Sequence, residues 1–277
     1  MGKFKKTLFS ILGFVLILSS FTFATGSKTA SASEKNEINS IQEYQDLLLV
    51  TLKISNPQDE EQLENAVDQF NSKNEFTEKA LTKYYVETNS KTILPNVDNT
   101  KKELDIDKYI QSNVGIGQFT THKLNENISV TFTNTPVYFI ESTTEEETPP
   151  TSSDVEIAAA KYKNTKTYTH SYTAKNFLNM KLFTVKTKGY FQYNGTDVKP
   201  KLNDAWYTRG FLSIWQVSNW QKSTYKKGSN YAEVYGRGNF HFGLEINGYG
   251  LVVQDQYIKV YLTGNKKGTV YKKTSVK

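Results

Sequence analysis

The feature that most restricts this chain is a two-residue period near its C-terminus. Ala232, Val234, Gly236, Gly238, Phe240, Phe242, Leu244 and Ile246 alternate with Tyr231, Glu233, Tyr235, Arg237, Asn239, His241 and Glu245. Successive side chains of a strand point to opposite faces, so this run predicts a long antiparallel strand with one buried and one wet face. Asn247-Gly248 follows, then Tyr249–Gln254. An Asn-Gly pair between two such runs is a strong hairpin signal, because both turn positions need positive φ. Asn194-Gly195 predicts a second turn, after Phe177–Tyr193. Gly264-Asn265-Lys266-Lys267-Gly268 predicts a third, between Tyr257–Leu262 and Thr269–Thr274. With Thr167–Ala174 and Phe211–Trp220, about seven short-spaced strands result, and a sandwich is the natural way to cover their apolar faces. Gly236 and Gly238 are expected to mark a bulge or a sharp bend.

The earlier part of the chain reads differently. Ile38, Ile41, Tyr44, Leu48 and Leu52 recur at helical spacing within Glu37–Lys53. Asp59–Tyr85 reads as a second helix, opened by Pro57 and the acids Asp59-Glu60-Glu61, which suit the positive end of a helix dipole. Val114–Thr121 and Ile128–Ile140 read as strands. The expected fold class is α+β: an acidic, mostly helical region at 33–140 with a small β element, then a C-terminal all-β antiparallel sandwich at 161–277.

Charge separates the same two parts. Residues 33–150 carry 10 Lys against 21 acids, a net of −11, and residues 151–277 carry a net of +13, so the halves should attract one another. Between them, Glu141–Glu156 has no aromatic residue and one large aliphatic, Val155. It offers too little apolar surface to offset chain entropy and reads as a disordered acidic linker over 141–160. Exposed segments of that kind are preferred nicking sites. A cut there or at Ala160-Lys161 would release a basic domain from an acidic pro-region; the alternative is a plain spacer.

Residues 1–32 begin with Lys3, Lys5 and Lys6, continue through the apolar run Leu8–Phe23 and end on Ala30-Ser31-Ala32. That order is the pattern of a secretory signal peptide cleaved between Ala32 and Ser33. The expected location is therefore extracellular.

Chemistry-bearing motifs are sparse. The chain has no cysteine, which removes disulfides, thiolate metal sites and thiol nucleophiles. His122, His170 and His241 are scattered, without metal spacing, and neither H-E-x-x-H nor G-x-S-x-G occurs. Glu233 and Glu245 are 12 residues apart, about 40 Å along a straight strand, against ~5–9 Å for a glycosidase pair. The expectation is no enzyme, no metal and no cofactor, with His241 and Glu245 the nearest to catalytic candidates. Arg occurs only at 209 and 237, which speaks against nucleic acid as the partner.

The basic half instead concentrates aromatics: 13 Tyr, six Phe and all three Trp fall in residues 161–277. Trp206, Trp215 and Trp220 either fill the sandwich core or sit exposed, where indoles suit sugar stacking or a membrane interface. Lys222, Lys226 and Lys227 follow on an expected loop, and Lys266, Lys267, Lys272 and Lys273 cluster around the third turn. Cations beside aromatics form a candidate surface for anionic bacterial envelopes.

The Trp206-Tyr207, Trp215 and Trp220 stretch, then Tyr231–Phe242 and Tyr257–Tyr261, resemble secreted Gram-positive proteins in which a signal peptide and variable pro-region precede an aromatic β domain. They are similar in this to large geobacillin-like bacteriocins. The resemblance covers about 110 C-terminal residues. It implies antibacterial activity without an enzymatic step, and with it an immunity partner in the producing cell. The leading expectation is a secreted antibacterial protein whose basic β domain binds envelopes, masked by its own acidic region. The alternative is a wall- or carbohydrate-binding module without lytic activity.

Overall fold

The computed structural model describes residues 35–77, 79–80, 83, 120–133, 136–149, 162–210, 214–246 and 249–277, with backbone alone at 214–215, 241–246 and 249–255. The expected signal segment, Ala160-Lys161 and most of the expected linker lie outside the described residues.

After a short strand β1 (Asn36–Ile38), helix α1 spans Ile41–Ser55. Ser40 caps it by accepting from the Glu43 backbone N–H, and Asn56 closes it in the left-handed region at φ 43. Helix α2 (Glu60–Lys73) is capped by Asp59, which accepts from the Gln62 N–H. It stops at Asn74, so the single helix expected over Asp59–Tyr85 is interrupted there; Lys79, Ala80 and Lys83 are helical again, and Tyr84 and Tyr85 lie outside the described residues. The chain turns there into β2 (Asn74–Phe76), which pairs in parallel with β1. The two helices bury Tyr44, Leu48, Leu52, Leu63, Val67 and Phe70 together.

Three strands of the acidic half follow: β3 (Thr120–Lys123), β4 (Ile128–Phe132) and β5 (Val137–Glu146). The basic half supplies β6 (Lys163–Asn164), β7 (Thr167–Asn176), β8 (Lys181–Tyr193) and β9 (Val198–Arg209). All seven form one sheet in the order β3-β4-β5-β7-β8, with β6 and β9 both paired to β8. A second sheet holds β10 (Ile214–Lys227), β11 (Tyr231–Ile246), β12 (Tyr249–Gly264) and β13 (Val270–Val276) in sequential antiparallel order.

β5 explains the layering. Its Tyr138 and Ile140 join the core beneath the helices, while Val137 and Phe139 join the core between the two sheets. A strand buried on both faces needs cover on both, and here it has helices on one side and the second sheet on the other. The fold is thus α+β, with two early helices and a sandwich-like pair of antiparallel sheets. Residues Glu34–Lys277 form one compact unit.

Two further expectations are corrected. Residues 141–146 belong to β5 rather than to a disordered linker, and they pair in register with β7 from Glu141↔Tyr172 to Glu146↔Thr167. Polar side chains stabilise this segment in place of apolar burial: Ser142 meets the Ser171 hydroxyl at 2.6 Å, Thr143 meets His170 Nδ1 at 2.9 Å, and Glu146 pairs with Lys188 at 2.7 Å. The sheet therefore crosses the boundary expected between the halves. Lys222, Lys226 and Lys227 lie in β10, not in a loop. The bulge expected near Gly236 and Gly238 falls at Gly238: the β10–β11 register shifts between Ser218↔Asn239 and Gln221↔Arg237, where Asn219 takes φ 54, while β11 keeps its register with β12 there.

The expected turns at Asn194-Gly195 and Gly264–Gly268 are present. Gly195 and Gly268 adopt φ 87 and φ 83, values that L side chains rarely tolerate. β11 and β12 pair as far as Ile246↔Tyr249, with Asn247-Gly248 itself outside the described residues.

Candidate binding face

Most of the residues singled out in the sequence prove to hold the two sheets together. Trp220 packs against Tyr207 and Phe240, with ring centroids 4.9 and 6.3 Å away, in the core between the sheets. Lys222 Nζ lies 2.6 Å from Asp204 and Lys226 Nζ lies 2.7 Å from Asp197, so both reach from β10 to the β9 side. Hydrogen bonds from these two lysines, joined by the Tyr162 hydroxyl at Asp197 and the Ala205 N–H at Asp204, hold both carboxyls below their ordinary range. Lys272 lies 5.4 Å over the Tyr168 ring and 3.4 Å from Asn127, again on the first sheet.

Trp206 is half-buried in β9, opposite Lys186. Cross-strand partners share a face, and Lys186 Nζ reaches 2.8 Å from Glu60 of α2, so Trp206 is on the helix side of the first sheet. The Trp215 side chain lies outside the described residues, as do those of His241 and Glu245. Lys266 and Lys267 sit in the turn after β12, the second exposed. Lys227 and Lys273 are exposed.

The histidines do not converge. His122 lies 5.7 Å from the Phe132 ring. His170 is buried, with Thr143 on Nδ1 and, on Nε2, Thr274 of β13 at 3.1 Å and Glu141 at 3.4 Å. Among the described residues no three His, Cys, Asp or Glu side chains are grouped to hold a metal ion, and no helix is long and apolar enough to cross a membrane.

The arrangement that does stand out was not singled out in the sequence. In the second sheet the even-numbered positions of β11 and β12 face the core: Ala232, Val234, Phe240, Ile258, Val260 and Leu262 are fully buried. The odd-numbered positions therefore form the outer face. Register places Tyr225, Glu233, Thr263 and Tyr271 in one row across the four strands. The next row is Ser223, Tyr235, Tyr261 and Lys273, and the next Gln221, Arg237, Lys259 and Ser275. With Tyr231 and Tyr257, six tyrosines share this face.

Its centre is fixed by Glu233, which is only 4% exposed. Glu233 Oε2 accepts from the Tyr231 hydroxyl at 2.9 Å, and Oε1 pairs with Lys259 Nζ at 2.6 Å. The same ammonium lies 4.5 Å from the Tyr261 ring and 4.9 Å from that of Tyr235. Arg237 stands 5.2 Å from the Tyr235 ring and donates through Nε and Nη2 to Gln221. Burial, then the bond to Glu233, pushes the Tyr231 hydroxyl well above the ordinary phenol value. Cation–π and ion-pair contacts thus lock the inner rings, while Tyr225 and Tyr271, 51% and 53% exposed, flank them. Lys259 is neutralised by Glu233, while Arg237, Lys227 and Lys273 are among the described side chains that offer this face's charge to a ligand. A preordered surface of hydroxylated rings and cations can stack planar or ring-shaped groups and attract anions.

No protein-family model matches this chain, and neither a curated protein nor a solved structure matches it.

Proposed function

We propose that this is an exported, non-enzymatic protein that binds the anionic bacterial envelope through the outer face of its four-stranded sheet. The observation that carries the reading is the set of six tyrosines, with Arg237, Lys227 and Lys273 beside them among the described side chains, on one sheet face in a half of net charge +13. The leader-like residues 1–32 support the extracellular setting. The binding-module reading is favoured over the antibacterial one, because Trp220, Lys222 and Lys226, which that reading places on the envelope-binding surface, are engaged between the sheets. The acidic half then acts as a permanent part of the fold: Glu60, Glu64 and Glu146 are paired with Lys186, Lys175 and Lys188.

The test is co-sedimentation of the Glu34–Lys277 protein with cell envelopes of Gram-positive bacteria, with a growth-inhibition assay beside it. Retention that falls as salt rises is expected. An absence of retention at low salt would overturn the reading. Growth inhibition by the intact protein would extend it to an antibacterial role.

A further inference from the structure

We infer that the outer sheet face binds a phosphate-bearing wall glycopolymer, with sugar rings stacked on the tyrosines and phosphates held by Arg237 and Lys273. This rests on the envelope-binding reading and names its ligand class. Three observations lead to it.

The first is the layout. Tyr225 and Tyr271 lie on the outermost strands of one row, with Glu233 and Thr263 between them. At ~4.8 Å per strand the two tyrosines are about 14 Å apart. That span suits an extended polymer crossing the strands rather than a single sugar. Lys273 and Arg237 stand one and two rows to the same side, so a chain lying over the rings passes cations along one flank.

The second is the charge. Glu233 is the acid among the described side chains of this face, and it is already matched by Lys259 at 2.6 Å. Arg237 retains N–H groups beyond those bound to Gln221, and a guanidinium fork suits a phosphate oxygen pair.

The third is the absence of aliphatic side chains from the described rows. Interfacial helices and anchors hold a bilayer by burying apolar area, whereas every ring here carries a hydroxyl. That favours a hydrated glycan over lipid. Single-stranded nucleic acid also stacks on aromatic platforms beside cations, but the chain's other arginine, Arg209, lies in β9 of the first sheet, which leaves one guanidinium on this face.

The experiment compares binding of the Glu34–Lys277 protein to purified Gram-positive walls, to the same walls stripped of phosphodiester-linked polymer by hydrofluoric acid, to phosphatidylglycerol vesicles and to an oligothymidylate. Strong binding to untreated walls is expected, with a loss of about tenfold or more on stripping. The double variant Tyr225→Ala/Tyr271→Ala should lose a similar factor. Arg237→Gln/Lys273→Gln should weaken binding and flatten its salt dependence. These positions are on the surface, and unchanged melting curves would confirm intact folds. Equal binding to stripped walls would overturn the glycopolymer inference while leaving wall binding in place. Binding to vesicles or oligothymidylate but not to walls would also overturn it, the vesicle result leaving envelope binding intact. Binding to none of the four would overturn both readings. Wild-type affinity in both double variants would remove this face as the site.

Discussion

The indole of Trp220 lies so close to Gly236 that a Cβ there would stand 2.8 Å from Cη2, and 2.8 Å from the Ala205 Cβ as well. Gly238 is similarly placed, 3.1 Å from Cε3 of the same ring. The two glycines open the inner face of β11 for a side chain that bridges the sheets. Gly236→Ala should therefore overpack a well-filled space and destabilise by about 1–3 kcal/mol. Trp220→Ala should cost about 2 kcal/mol or more, from lost burial and the cavity left behind. Urea unfolding measures both. Wall binding should survive in each folded variant. Unchanged stability with lost binding in Trp220→Ala would instead make that ring a surface anchor.

Lys175 offers a second check, because it is 2% exposed and its ammonium depends on Glu64 Oε2 at 2.9 Å. Glu64 also meets Lys181 at 3.1 Å. Burial raises the Glu64 carboxyl, but the two lysines outweigh it and hold the group below its ordinary range. Glu64→Ala should cost about 3–5 kcal/mol, since it strands a buried charge, whereas Glu64→Leu/Lys175→Met should lose far less. The pH dependence follows in sign. A depressed carboxyl contributes fully above the ordinary carboxylate range, and the contribution is lost as pH falls through the lower folded value. Wild-type stability should drop on acidification below about pH 4. That part of the drop should be missing in the double variant.

Ten register pairs join β5 to β7, so the covalent link between the halves is not what holds them together. A protease site engineered between residues 150 and 161 should be cleavable without separating the fragments. They should co-elute in size exclusion and part only in denaturant. Residues 161–277 expressed alone should aggregate, because β7 would offer a bare edge and the Phe177 side of its sheet would lose its cover. A soluble, monomeric, folded 161–277 fragment would show that the basic half is an independent domain.

How much of this was legible in the sequence varies with the physical signal each element carries. β11 was plain, since its two faces differ in polarity at every step. The turns at Asn194-Gly195 and Gly264–Gly268 were plain because few residue pairs accept their backbone angles. β9 was not read as a strand: Pro200 and the polar run around Asn203 argue against one. An edge strand tolerates both, since one side of its ladder is unpaired. Residues 141–146 were misread because composition counts apolar surface, while this segment is held by hydroxyls and charges whose partners lie about 25 residues away or more. The outer tyrosines were visible at Tyr231 and Tyr235 as a wet face. Their partnership with Tyr225, Tyr261 and Tyr271 depends on inter-strand register, which no single strand encodes.

Alkaline titration tests the burial of the structural tyrosines. Burial raises the Tyr138 and Tyr172 hydroxyls far above the ordinary phenol value, with Tyr44 and Glu141 respectively adding to the effect. Tyr44 is raised by burial too, although its bond to Asn71 pulls the other way. In the unfolded chain these groups ionise near pH ~10. A raised folded value means that their contribution to stability is complete below that pH and is lost as pH climbs beyond it. Tyr44, Tyr138 and Tyr172 should ionise only in a cooperative step that coincides with loss of far-ultraviolet circular dichroism. Phenolate absorbance followed together with dichroism reads that step. If the full phenolate absorbance developed near pH ~10 while the dichroism persisted, the buried positions assigned to these three rings would be wrong.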